Sequence, residues 1–180
     1  MLGVFRRLLG QTPAPKPQSS PRATVTLPAR PARDIAYDPE LVDSLQRDHA
    51  ELVNLFGSIG RQAEIGAFEQ IPAALVSFKT LLEGHLIAEN VRFYNYVENS
   101  LRGDSLNSEL IRSFRREMNT IARGVVDFVK KYQLATFDVA TRDAFLGDYR
   151  AVGALLTQRI EREENSLYPL YQPMRESAFS

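Results

Sequence analysis

The 180-residue chain contains no cysteine and only two histidines. Without thiols there are no disulfides and no thiolate ligands, so any metal must be held by imidazole and carboxylate. Long apolar runs are missing too: none approaches the roughly 18 residues that a membrane-spanning helix needs. In MLGVFRRLLG two arginines interrupt the apolar core that a secretory signal requires. These features fit a cytoplasmic protein. Net charge is zero, with 22 basic against 22 acidic residues. Acids are nevertheless absent from residues 1–33, which carry Arg6, Arg7, Lys16, Arg22, Arg30 and Arg33, so the remainder is net acidic.

A chain of this length supports one well-buried core plus an appendage. The appendage is residues 1–36, where QTPAPKPQSSPRATVTLPARPARDIA is rich in proline, serine and alanine. Proline removes backbone donors and disfavours helix in the residue before it, so the segment is expected to be an extended, disordered basic tail. Its charges are spread thinly and Phe5 is its one aromatic, which argues against a nucleic-acid-binding arm.

Residues 37–176 read as four long helices. In the first, Asp38 stands as N-cap, Pro39 at the first helical position and Tyr37 stapled on Val42. Its apolar stripe is Leu41, Leu45, His49, Leu52 and Phe56, and Gly57, Gly60 and Gly66 mark a weakening end. The second runs from about Phe68 to Leu101, with Phe78, Leu82, His85, Glu89, Phe93 and Tyr96 inward and Gly103 closing it. The third runs from Asp104 or Ser105 to Tyr132, with Ile111, Phe114, Met118, Ile121, Val125, Phe128 and Val129 inward. A fourth follows Asp138 and reaches about Pro169, on a stripe of Phe145, Val152, Leu156, Arg159, Glu163, Leu167 and Leu170. Short connections force neighbouring helices antiparallel, so the expected fold is an all-α, up-down-up-down four-helix bundle.

Four residues do not belong on apolar stripes: His49, His85, Glu89 and Glu163. A buried carboxylate costs several kcal/mol unless a cation or strong hydrogen bonds compensate it. A divalent metal supplies that charge, and so does a buried arginine. Residues His85 and Glu89 are four apart, on one helix face and about 6 Å apart along the axis, which lets both reach one ion. Such a pair is weak alone. Its weight comes from three helices each aiming a possible ligand inward. The opposing reading of Glu163 is that EREEN is a solvated acidic run with Arg159 reaching to water beside it.

With these residues in view, LVDSLQRDHAELVNLF, LLEGHLIAENVRFYNYV and RIEREENSLYPLY resemble the first, second and fourth helices of hemerythrin-like (HHE cation-binding) domains, over about residues 38–172. Glu163, Glu164, Leu167, Tyr168 and Pro169 form the most specific phrase. The resemblance implies a non-haem di-iron bundle with roles in oxygen binding, oxygen or nitric oxide sensing, or iron-centre repair. It places His49, His85, Glu89 and Glu163 on family ligand positions. Arg159 stands at the helix-four histidine position, and Met118 is the best match for the helix-three one. One half of the centre is therefore complete and the other is lost.

The expectation is one divalent ion rather than two, held by His49, His85, Glu89 and Glu163. Iron is favoured by resemblance, with zinc or manganese also compatible. Arg159 is expected to project toward the lost half and donate to Glu89 or Glu163, while Met118 fills the vacated volume. Three functions follow in order: a metal-binding sensor or regulatory module taking oxygen or nitric oxide if iron is bound, a metal-free bundle in which Arg159 neutralises the core glutamates and a protein partner is bound, and an oxidase- or repair-type enzyme.

Overall fold

Apolar side chains recur at helical spacing in four stretches, and each stretch folds as a long helix. The structure, a computed structural model, describes residues 35–101 and 103–174. All but the last two residues of the expected basic tail lie outside them. The first helix is α1, Leu41–Glu64; the second is α2, Ile71–Ala88, which continues through a π-helical turn at Glu89–Tyr94 into α3, Asn95–Ser100. The third is α4, Ser105–Tyr132. The fourth is α5, Val139–Arg162, prolonged by a second π-helical turn at Glu163–Leu167 and a 3₁₀ turn at Tyr168–Leu170. No strand occurs among the described residues.

The capping residues explain most of the boundaries. Asp104 accepts from the Asn107 amide at 3.1 Å and Asp138 from the Thr141 amide at 2.8 Å, each satisfying an orphan donor of the first turn. Gly66 and Gly103 adopt φ of +79° and +103°, which lets the chain reverse immediately after a helix. The start of α1 differs from expectation. Asp38 accepts from the Glu40 amide and pairs with Arg92, so it organises a turn, and the helix proper starts at Leu41. Tyr37 stacks on Tyr171 at 5.0 Å rather than serving only as a local staple.

Gly60 differs as well. It lies within α1, where a Cβ would come within 2.4 Å of the Tyr149 hydroxyl, and that hydroxyl donates to the Phe56 carbonyl at 2.9 Å. The glycine is therefore a site of close approach between the first and fourth helices, not a weakening.

α1 packs on α2, α2 on α4, α4 on α5, and α5 returns to α1, closing an antiparallel bundle. Its core is divided. One apolar cluster contains Phe56, Phe78, Val129 and Phe145; the other contains Leu45, Phe93, Phe114 and Leu167. Between them along the helices lie the five buried polar or charged residues found among the described residues, His49, His85, Glu89, Arg159 and Glu163. Phe68–Ser100 is, by length and composition, apolar enough to cross a membrane, although no apolar run was expected to be. In the bundle it carries Leu75, Phe78, His85 and Glu89 into the core.

Candidate metal centre

His49, His85 and Glu163 come together from α1, α2 and the turn after α5. One ligand atom of each lies within 4.8 Å of those of the other two, and all three residues are buried. The imidazole rings are 4.7 Å apart, centre to centre. His49 Nε2 lies 3.3 Å from Glu163 Oε2. Two ligands about 2.1 Å from one ion, at angles of about 90–110°, stand about 3.0–3.4 Å apart, so this separation suits a shared ion.

Both imidazoles are oriented from behind. His49 Nδ1 donates to Glu164 Oε1 at 2.8 Å, and His85 Nδ1 faces Asp48 Oδ2 at 3.4 Å. A carboxylate on Nδ1 fixes the tautomer that leaves Nε2 as the ligand nitrogen and raises its basicity, the arrangement usual for metal-ligating histidine. Tyr168 adds its hydroxyl at 3.2 Å from His49 Nε2.

Glu89, the fourth expected ligand, lies outside the 4.8 Å cluster. It is 0 % exposed, and neither of its oxygens has a hydrogen-bond partner among the described residues. Burial first, then the charge of Glu163, pushes its pKa up to about 8. A buried carboxyl with both oxygens unpartnered is costly, and a nearby cation is the group that would relieve it. The two anchored imidazoles and Glu163 Oε2 are donors that fit a divalent ion, while Glu89 stands outside their cluster.

The other half of the centre is built around Arg159, which is 2 % exposed. Its Nε donates to Glu163 Oε1 at 2.5 Å, one terminal nitrogen to Glu117 Oε2 at 3.2 Å, and the other to the Tyr94 hydroxyl at 3.0 Å. The guanidinium also lies 4.6 Å over the Phe114 ring. Burial disfavours the charged form, but the charge and hydrogen bond of Glu163, with Tyr94 and Glu89, together outweigh it and raise the Arg159 pKa. The expected donation to Glu89 or Glu163 is thus made to Glu163. Met118 is buried in the apolar cluster that includes Phe56 and Phe78, and with Arg159 it borders a cavity.

The two halves correspond in the acids that support them. Asp48, just before His49, faces His85; Glu117, just before Met118, accepts from Arg159. Tyr94 lies five residues after Glu89 and Tyr168 five after Glu163. Their contacts depart from that correspondence: Tyr168 meets His49, whereas Tyr94 meets Arg159. By the acids alone, Met118 holds the position that answers to His49, and Arg159 the one that answers to His85.

Sequence reasoning gave no role to Asp48, Glu117 or Tyr94, and took Glu164 only as part of the phrase that carries the resemblance. Asp48 and Glu117 share a signal, an acid just before an inward position. The tyrosines share another: each glutamate begins a π-helical turn, Glu89–Tyr94 or Glu163–Leu167, and the extra residue of such a turn brings the fifth side chain, rather than the fourth alone, back to the core.

Burial works against a charge on His49, but Glu163 and Glu164 together outweigh it and raise its pKa. In His85, burial and then the neighbouring His49 lower it. Without an ion, His49 thus takes up a proton more readily than His85.

A buried layer of histidine and carboxylate, delivered by an antiparallel four-helix bundle, defines a cation-binding bundle. The family model described as the hemerythrin HHE cation-binding domain matches residues 40–171, and the chain belongs to that family. No curated protein and no solved structure matches it.

Proposed function

We propose that the protein is a metal-binding sensor or regulatory module whose core holds one divalent ion, with His49, His85, Glu89 and Glu163 as ligands. The observation that carries this reading is the division of Glu163: Oε2 faces His49 Nε2, while Oε1 is taken by Arg159. The Arg159 guanidinium supplies fixed positive charge where the family's second ion would be held, which favours one ion over two. Iron is the first choice by family, and zinc and manganese accept the same donors.

When bound, the ion supplies Lewis acidity and, if it is iron, redox chemistry toward a diatomic ligand such as oxygen or nitric oxide. The chain's own residues bind and orient. Glu164 and Asp48 hold the imidazoles, the two apolar clusters bound the polar layer on either side, and Tyr168 places its hydroxyl beside His49 Nε2.

A second reading has its own support. Arg159 already neutralises Glu163, and Glu89 with a pKa of about 8 is largely uncharged at neutral pH, so the core tolerates the absence of an ion. The protein would then act as an interaction bundle. Thermal melting with and without chelator separates the two. The metal reading expects a lower melting temperature with chelator, restored by ferrous iron; an unchanged temperature supports the interaction bundle.

A further inference from the structure

Between α1 and α5 lies a cavity of about 350 Å³. Its walls are the buried Leu52, Phe56, Phe78, Leu82 and Met118, and its inner end is formed by His49, His85, Arg159 and Glu163. The mouth is marked by lining residues that are exposed: Val53 on α1, and Arg150, Ala154 and Thr157 on α5. The stripe of α5 records the opening. Val152 and Leu156, expected in the core, are only half-buried: both pack against one apolar cluster, and Leu156 also borders the cavity.

The volume is informative. A water occupies about 30 Å³ of liquid, and an apolar cavity of about 150 Å³ takes benzene. A diatomic ligand therefore uses only a small part of this space, whereas a two-ring molecule of roughly ten to fifteen heavy atoms fills it. Apolar walls with a few convergent polar groups at one end are the usual character of a small-molecule site.

The polar end specifies the ligand's head. Arginine has five N–H groups. Arg159 uses one each toward Glu163, Glu117 and Tyr94, leaving two without a partner among the described residues. A buried N–H without an acceptor is costly, so a ligand oxygen accepting from Arg159 is favoured. Glu163 stands at the same end and Glu117 already binds the guanidinium, so an anionic head meets like charge while a carbonyl does not.

We propose that this cavity binds an uncharged, bicyclic-sized apolar molecule with one carbonyl oxygen, the body against Leu52, Phe56, Phe78 and Leu82 and the oxygen accepting from Arg159. Occupancy would set the access of any small ligand to the His49–His85–Glu163 centre. Binding itself needs no ion, since the walls and Arg159 belong to the chain.

The test uses the full chain and three probes of nearly one shape: 2-acetylnaphthalene, 2-ethylnaphthalene and 2-naphthoate. Binding is followed by methyl NMR shifts of Leu52, Leu82 and Met118, before and after chelator treatment. The ketone is expected to bind saturably with and without chelator, at least about tenfold more tightly than the other two. Ala154→Trp, at the exposed mouth, is expected to weaken it about tenfold or more while leaving the fold intact. Arg159→Met is expected to remove the preference for the ketone over the ethyl analogue.

Absence of saturable ketone binding up to ~1 mM, or binding unaffected by Ala154→Trp, overturns the proposal. Equal affinity for the ketone and the ethyl analogue overturns the role given to Arg159. Ketone binding by a chain that holds no metal as purified from metal-replete culture removes the metal reading and leaves this one; one ion per chain without ketone binding does the reverse.

Discussion

Arg159 and Glu163, one helical turn apart, form a buried ion pair at 2.5 Å, both about 2–3 % exposed. The pair splits a carboxylate that also faces His49, and so separates the centre into a half suited to an ion and a half filled by the chain's own cation. Its energetic meaning lies in the loss of one partner. Removing the guanidinium leaves a buried carboxylate uncompensated, at a cost of about 3–5 kcal/mol. Arg159→Ala is therefore expected to lower chelator-treated stability by about that amount in urea unfolding. Arg159→Lys should recover little of it, since a point ammonium cannot serve Glu163, Glu117 and Tyr94 together. Full recovery by lysine would show that the three-way geometry is unimportant.

His85→Ala and Met118→Ala separate ligand from filler. The first removes an anchored imidazole from the trio and is expected to abolish most metal retention. The second deletes a buried apolar side chain, costs about 2–5 kcal/mol, with the lower end expected beside an existing cavity, and leaves metal content nearly unchanged. Elemental analysis of both variants checks this; equal metal loss would place Met118 closer to the ion than its role as a filler permits.

Glu89 gives a pH dependence whose sign can be worked out. Its pKa rises from 4.5 in the free residue to about 8 in the fold, so the native state binds more protons than the unfolded state between those values. Stability without metal therefore falls as pH rises from about 4.5 to about 8. His49, raised from 6.5, acts in the same sense as pH climbs past that value, while His85, lowered from it, acts oppositely below it. Glu89→Gln isolates the contribution: in chelated protein it should flatten the decline between pH 5 and 8 relative to the wild type. Parallel stability–pH curves would mean that Glu89 does not titrate in this window.

Restoring the lost half is the most demanding test of the register. Met118→His with Arg159→His should raise metal content from about one ion per chain to about two, because Glu117 already stands behind position 159 as Asp48 stands behind His85. No gain in bound metal would count against the correspondence between Met118 and His49.

The inward residues of the helices were legible because a 3.6-residue period exposes His49, His85, Glu89, Arg159 and Glu163 as polar interruptions of apolar stripes. What eluded the period was local. At Glu89 and Glu163 the π-helical turns advance the register, so Tyr94 and Tyr171 are buried whereas Leu170, on the regular stripe, is only partly so. Asp48, Glu117 and Glu164 look like surface acids in the sequence, since nothing in helical spacing reveals that each reaches across to a neighbouring helix. The cavity was invisible for a related reason. Leu156 has core spacing, and only the separation of α1 from α5 decides that it lines open space.

The most direct measurement is metal content per chain, by elemental analysis of protein purified from an iron- and zinc-replete culture, with an absorption spectrum recorded in air. One ion per chain, lost on His85→Ala, is the expected result. Two ions per chain would contradict the substitution of Arg159 for the second ion, and none would leave the buried imidazoles and carboxylates to the metal-free bundle.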